Sequence, residues 1–360
     1  MKILKIIITV LLFITLVACG TENAEQSEEN NLEYREAFTL NYPLFDGEKV
    51  IENAAVTVTD GIITSVTEGE GVDSNYLLMP GLIDAHTHIS TESQTEIMLK
   101  NGITATCDVS APNTLIENSK QFTIISSAGM TMGTLSGKNY VKSSLKNGAK
   151  YIKVLLMEPN LMLKSVFKNI CTSAHENGIK VAVHAVSLKA VRMAVDCGAD
   201  ILIHVPMKEE FPKELAEEIA QKGIAVAPTL IMMKTFGEDG RSGYKPEHYK
   251  NAENAVRLLH DCGVQILAAT DANTGSYAPA VVYGKSLHTE MQLLVNAGLT
   301  PSEALVSATS NVAKAFDISD IGTVSVGKRA VLLLIEGRPD KEITDTAKIK
   351  QIWIDGVPIL

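Results

Sequence analysis

Six side chains in this 360-residue sequence could meet at one point and do chemistry together. Short apolar runs along the middle of the chain each carry a titratable residue at or near their end. His86-Thr87-His88 closes one run, Lys153 lies in a second, and His184, His204 and Asp271 belong to three more. Alternate residues of a β-strand share a face, so His86 and His88 point the same way. Two neutral imidazoles at that spacing can chelate one cation. If the runs are parallel staves of a closed barrel, whose functional residues collect at the C-terminal ends of the strands, the other strands bring further donors to the same rim. Four His and one Asp suit Zn²⁺ or another borderline divalent ion (Mn²⁺, Co²⁺ or Fe²⁺), whereas Ca²⁺ and Mg²⁺ prefer oxygen shells. Taken singly, each residue has an ordinary explanation. A strand histidine is commonly hydrogen-bonded in a core, a strand-end Asp caps a turn, and a lysine lays its stem along apolar surface. Their convergence on one rim is what argues for a site.

Such a barrel needs eight strands with helices between them. Residues 82–88, 104–109, 122–126, 151–156, 181–186, 201–205, 225–230 and 266–271 supply the strands. Amphipathic stretches such as 163–177 and 215–222 lie between them, and Gly178, Gly223 and Gly263 stand where helices stop. The repeat predicts an α/β fold, a (β/α)8 TIM barrel over residues 80–319. Residues 38–68 alternate as strands do, with turn signals at Asp46-Gly47 and Asp60-Gly61, and residues 322–324, 330–335 and 351–359 match them at the other end. Residues 37–79 and 320–360 are therefore expected to form a small β-sandwich-like domain from both ends of the chain.

Hydrophobic residues make up 46% of the sequence, enough for a large interior, and the formal net charge of −10 gives no basic footprint for nucleic acid. Cys107, Cys171, Cys197 and Cys262 have no CxxC spacing and read as small buried thiols. The first residues differ in kind. Lys2 and Lys5 precede an apolar run over residues 6–17, short for a membrane span and of the length of a signal-peptide core. The run ends in Leu16-Val17-Ala18-Cys19-Gly20, which resembles a bacterial lipobox. That resemblance implies a lipoprotein signal over residues 1–19, lipid on Cys19, and attachment to a bacterial membrane on the side away from the cytoplasm. Residues 20–36, rich in Glu, Asn and Gln, would be the flexible tether.

Met79-Pro80-Gly81-Leu82-Ile83-Asp84-Ala85-His86-Thr87-His88 is similar to the opening motif of the amidohydrolase superfamily. Ala269-Thr270-Asp271 resembles its last-strand motif. The region from Leu287-His288 to Ala313, with Ala297-Gly298-Leu299-Thr300-Pro301 and Ala308-Thr309-Ser310-Asn311, resembles the helical part of imidazolonepropionase-like and prolidase-like members. The likeness covers nearly all of the chain after the tether. It departs at Val331, where members commonly have Asp, and is looser over residues 102–108.

The resemblance implies roles for the matching residues. His86, His88 and Asp271 would hold the more buried metal, and His184 and His204 would hold or face a second. Lys153 stands where many members carry a carbamylated lysine that bridges two metals; members with one metal also exist. The implied reaction is hydrolysis of a carbon–nitrogen amide-type bond in a small molecule such as a dipeptide, N-acyl compound or cyclic amide. A metal-bound hydroxide would attack, with Asp271 as proton shuttle. A deaminase or a lactone or ester hydrolase using the same site is the alternative enzyme reading. A surface-binding lipoprotein without activity is the non-enzyme one, and the complete set of competent metal positions argues against it. His175, His260 and His288 are expected to be structural. Residues 236–249 are expected to form a loop after the seventh strand, with Arg241, Tyr244 and His248 as contacts of a lid, and residues 126–137 to form a pocket wall.

Overall fold

The fold is that of a computed structural model, which describes residues 37–69, 75–133, 136–276 and 278–360. The lipobox, Cys19 and the tether lie outside the described residues. Four strands come first: β1 (Phe38–Phe45), β2 (Val50–Thr59), β3 (Ile62–Glu68) and β4 (Tyr76–Pro80). The middle of the chain carries β5 (Leu82–Thr87), β6 (Ile103–Asp108), β7 (Thr123–Ser126), β8 (Met130–Thr131), β9 (Ile152–Leu155), β10 (Val181–His184), β11 (Ile201–Ile203) and β12 (Ala225–Ala227), with helices interleaved. Three more close it: β13 (Leu332–Glu336), β14 (Ile349–Ile354) and β15 (Val357–Pro358).

Strands from both ends of the chain pair into one seven-stranded sheet, in the order β15-β14-β13-β4-β1-β2-β3. β4 and β13 meet antiparallel from Leu332 opposite Pro80 to Glu336 opposite Tyr76. Side-chain alternation on these strands serves two cores. Leu77, Met79, Leu333 and Ile335 join the main core, while Leu78, Leu332 and Leu334 pack with Leu44, Val56, Val58, Ile63 and Trp353 in a second. A strand buried on both faces reads as an unbroken apolar run, which is why residues 332–335 show no polar alternation. The segment 322–324, expected to be strand-like, lies outside any strand; Val324 N instead donates to Asp46 O.

β5, β6 and β7 form one parallel sheet and β8 to β12 another. A bent stave links them. The chain kinks after β7, with Ala128 and Gly129 at φ 54° and 115°, and continues as β8. Ser127 N and Gly129 N stay bonded to the β6 side through Asp108 O and Val109 O, while Met130 pairs with Lys153 on β9. The third strand therefore extends past the expected end at residue 126. The eighth stave, 266–272, closes the ring through Val226–Ile266 and Thr87–Ala272 bridges. It bonds β5 through Ala85 N to Ala268 O (3.0 Å) and Asp271 N to His86 O (2.9 Å). The left-handed backbone of Asp271, at φ 56°, interrupts the pairing that its apolar sequence predicts. The result is the (β/α)8 barrel with an added sheet.

Helices predicted over 163–177 and 215–222 are found at Lys164–Glu176 and Lys213–Gln221. The seventh strand is shorter than expected. It ends at Ala227, Thr229 turns left-handed at φ 51°, and Leu230 opens the helix Leu230–Asp239. Much of the expected 236–249 loop is thus regular: the end of that helix, then 3-10 turns at Arg241–Gly243 and Pro246–His248. Cys107, Cys171 and Cys197 are buried thiols and Cys262 is half-buried, and among the described residues none of the four is paired.

Gly81 joins the end sheet to the barrel and shows why its motif needs a glycine. A Cβ there would stand 2.2 Å from Thr104 Oγ1 and 2.6 Å from Thr104 Cγ2 on neighbouring β6. Overpacking of this kind costs roughly 1–3 kcal/mol. Gly81→Ala is expected to lower the urea midpoint accordingly, and Gly81→Ala with Thr104→Ala to recover part of the loss. An equal loss in single and double variants would remove the contact as the cause.

Candidate metal centre

The barrel brings all six residues singled out in the sequence to one end. His86 and His88 come from the end of β5, Lys153 from β9, His184 from β10, His204 from just past β11, and Asp271 from the closing stave. Among the described residues, His86, His88 and Asp271 place ligand atoms within 4.8 Å of one another. Asp271 Oδ1 stands 3.0 Å from His88 Nε2 and 3.4 Å from His86 Nε2, and its Oδ2 is 4.0 Å from His204 Nε2. Lys153 Nζ is 3.4 Å from His86 Nε2. The His184 and His204 rings sit 4.5 Å apart, edge to face. His204 and Asp271 both hold left-handed backbone, at φ 73° and 56°. Non-glycine residues rarely adopt it, and those that do gather at functional sites.

Burial sets the charge state of the cluster. His86, Lys153 and His204 are almost wholly buried, while the His88 side chain keeps 30% of its exposure and faces the mouth. Desolvation, then the Lys153 charge, pushes His86 well below the imidazole range and His184 down to about 3. Desolvation, then neighbouring His184, does the same to His204. Desolvation also pushes Lys153 down to about 7, opposed by Asp271. Neutral nitrogens of this kind are lone-pair donors. Among the described residues, His184 Nε2 is buried with no hydrogen-bond partner, a costly state for a polar atom unless a ligand takes its lone pair. One carboxylate, several neutral imidazoles and an orphaned nitrogen therefore fit a divalent cation of the borderline class.

Two buried carboxylates that the sequence reading passed over hold the ligand-bearing backbone. Asp84 Oδ1 accepts from Thr270 N (3.0 Å) and His86 N (3.2 Å), and its Oδ2 accepts from Thr270 Oγ1 (2.6 Å). It thereby ties the first stave to the last, beside His86 on one and Asp271 on the other. Burial pushes its carboxyl up to about 7, while the three donated bonds pull the other way. Asp108, at the end of β6, accepts from Ile89 N (2.6 Å), Ser110 N (2.8 Å) and Thr87 Oγ1 (3.0 Å), which fixes the chain on both sides of His88. Tyr283 Oη donates to His88 O at 2.6 Å. Asp84 was findable: it precedes His86 by two residues on the same apolar run, where a charged side chain needs a partner.

The other histidines have partners elsewhere. His175 Nε2 lies 2.9 Å from Asp200 Oδ2, and His260 Nε2 lies 3.2 Å from Glu303 Oε1. His288 bonds Thr346 Oγ1 and Asn101 O, both at 3.0 Å. In the 240–249 segment, Arg241 pairs with Asp239, Tyr244 lies under Lys208 Nζ at 4.5 Å, and His248 Nδ1 accepts from Lys245 N at 3.1 Å. In the expected pocket wall, Ser126 and Ser127 are buried, whereas Met130 and Met132 are exposed beside the strand that carries Lys153.

Comparison with known proteins adds a family. The profile of the amidohydrolase family matches residues 77–359. An imidazolonepropionase of Fusobacterium nucleatum is 33% identical over 175 residues, spanning 47% of this chain and 37% of that relative. An N-substituted formamide deformylase of Arthrobacter pascens is 26% identical over 216 residues, 55% of this chain and 40% of the relative. In each case the matched stretch covers less than half of the relative's length. Among solved structures, a Xaa-Pro dipeptidase with bound methionine superposes with a TM-score of 0.77 at 18% identity, covering 90% of this chain and 100% of that one, which is a likeness of fold. With a family profile spanning the barrel and all three closing strands, and a His-His-Asp cluster at the barrel mouth, this chain belongs to the amidohydrolase family.

Proposed function

We propose that the chain is a metal-dependent hydrolase that cleaves a carbon–nitrogen, amide-type bond in a small molecule such as a dipeptide, an N-acyl compound or a cyclic amide. The observation that carries this reading is the His86–His88–Asp271 cluster, buried but for half-exposed His88 and flanked by His184, His204 and Lys153. The N-substituted formamide deformylase among the similar proteins, whose name denotes action on such formamides, supports the bond class. In this reading His86, His88 and Asp271 would hold one ion, His184 and His204 would hold or face a second, and Lys153, carbamylated by CO₂, would supply an anionic ligand between them. Zn²⁺ is the ion the donor set favours. A divalent ion held there supplies Lewis acidity, making water acidic enough to lose a proton near neutrality and polarising the substrate carbonyl.

The protein's own residues do the rest. Asp271, its side chain about one-tenth exposed, takes the proton of the attacking water and returns it to the leaving nitrogen. Asp84 and Asp108 hold the backbone on which His86, His88 and Asp271 ride, so the donors are in place before substrate arrives. The test is direct. The purified full chain is expected to hold one or two divalent ions, to hydrolyse some member of an amide panel, and to lose and regain that activity on chelation and Zn²⁺ addition. A chain that holds no metal and gains no activity with Zn²⁺ or Mn²⁺ would falsify the reading, and activity confined to lactones or esters would move the bond class. Where the parent holds two ions, Lys153→Ala is expected to take the count to one; an unchanged count excludes the carbamate bridge.

The same reading includes lipid attachment through Cys19, for which the sequence of residues 1–19 is the support. A Cys19→Ala chain that still fractionates with membranes overturns that part.

A further inference from the structure

His204 has a partner that the metal reading does not use. Its Nδ1 lies 2.7 Å from Thr229 Oγ1, on the stave beyond β12. That hydroxyl has one proton and also lies 2.8 Å from Pro228 O, to which it can only donate. A carbonyl oxygen has no hydrogen to give, so a Thr229 hydroxyl bonded to Pro228 must accept from His204 Nδ1–H. The opposite arrangement would spend that proton on His204 Nδ1, take the Pro228 carbonyl's partner away, and put a proton on His204 Nε2. Asp271 Oδ2 lies 4.0 Å from that nitrogen, beyond hydrogen-bond reach, and would leave such a proton without a bond to it.

The position of Thr229 is itself imposed. It is β-branched, wholly buried and left-handed, at φ 51° and ψ 50°, a conformation such residues adopt only when their surroundings enforce it. What enforces it comes from a distant helix. Glu290, fully buried in the helix Lys285–Asn296, accepts from Leu230 N through Oε1 (2.9 Å) and from Ile231 N through Oε2 (2.7 Å). These are the first N–H groups of the helix Leu230–Asp239, which have no partner within their own helix. A carboxylate there is favoured by the helix dipole as well.

We infer that Glu290 and Thr229 are positioning residues: Glu290 pins the start of the helix after β12, this holds Thr229 in its left-handed turn, and the Thr229 hydroxyl locks His204 as the Nδ1–H tautomer with the Nε2 lone pair directed toward Asp271. The link to metal binding rests on the proposed centre; the tautomer does not.

The experiment uses the full chain labelled with ¹⁵N-histidine and stripped of metal, with long-range ¹H–¹⁵N spectra assigned against His204→Gln. The parent is expected to show His204 protonated at Nδ1 and bare at Nε2. Thr229→Val is expected to lose that signature and to weaken Zn²⁺ binding at the second position about ten- to a hundredfold, as second-sphere changes do. Thr229→Ser is expected to restore both, and Glu290→Gln to shift the His204 resonances although no contact of His204 is altered. A parent protonated at Nε2, or a folded Thr229→Val chain with the parent's spectrum, overturns the inference. If the tautomer responds as expected but the parent binds no Zn²⁺, the lock stands and the metal reading falls.

Discussion

Asp271→Asn is expected to fold as the parent does, to bind metal at saturating Zn²⁺, and to lose amide hydrolysis by about 10²–10⁴-fold, the scale of a general acid–base step. The backbone bonds that hold this residue do not depend on its charge. Its backbone N donates to His86 O at 2.9 Å and its backbone O accepts from Asn273 Nδ2 at 2.8 Å, and both bonds survive the exchange. Asn tolerates the left-handed φ of 56° as readily as Asp does. What changes is the side chain facing His86, His88 and His204: an amide still offers one oxygen to a cation but cannot take a proton from water. Turnover, metal content and thermal midpoint are measured on the same sample. Turnover within a few-fold of the parent, at full metal occupancy, would show that the proton goes elsewhere.

The parts of this molecule that were legible in sequence are those in which one residue reports its own environment. The apolar runs marked the barrel staves, and the period of two placed His86 and His88 on one face. His184, His204 and Asp271 were visible because a polar residue ending an apolar strand is out of place unless it faces a site, and Lys153 because it puts a charge inside such a strand. What stayed hidden depends on partners or on backbone angles. Asp84 is held by Thr270, 186 residues away, and nothing in either residue names the other. The kink that carries β7 into β8 turns on a left-handed Ala128, and the early end of β12 on a left-handed Thr229; neither residue type announces that conformation. Glu290 did leave a trace. Leu287, Met291 and Leu294 are buried at helical spacing, and a glutamate between them on that apolar face is a charge that must find donors.

Asp84→Ala is the complementary case, expected to act on stability before chemistry. The Asp84 side chain is the partner of His86 N, Thr270 N and Thr270 Oγ1 in a region closed to water. Each buried donor left without an acceptor costs about 1–3 kcal/mol, and the three do not add fully because Thr270 Oγ1 can rotate. A net loss of about 3–5 kcal/mol follows, in the range reserved for broken buried networks. The measurement is urea unfolding of metal-stripped chains, so that weaker metal binding cannot pass for lost folding energy. Asp84→Asn, which keeps one acceptor oxygen but turns an amide N–H₂ toward a donor, is expected to fall between parent and Ala. The tie also fixes the distance between the first and last staves, and with it the His86–Asp271 spacing of 3.4 Å, so Zn²⁺ affinity should fall with stability. A loss below about 1 kcal/mol in Asp84→Ala would mean that water or a rearranged Thr270 satisfies those donors. The first and last staves would then be held by their backbone bridges alone.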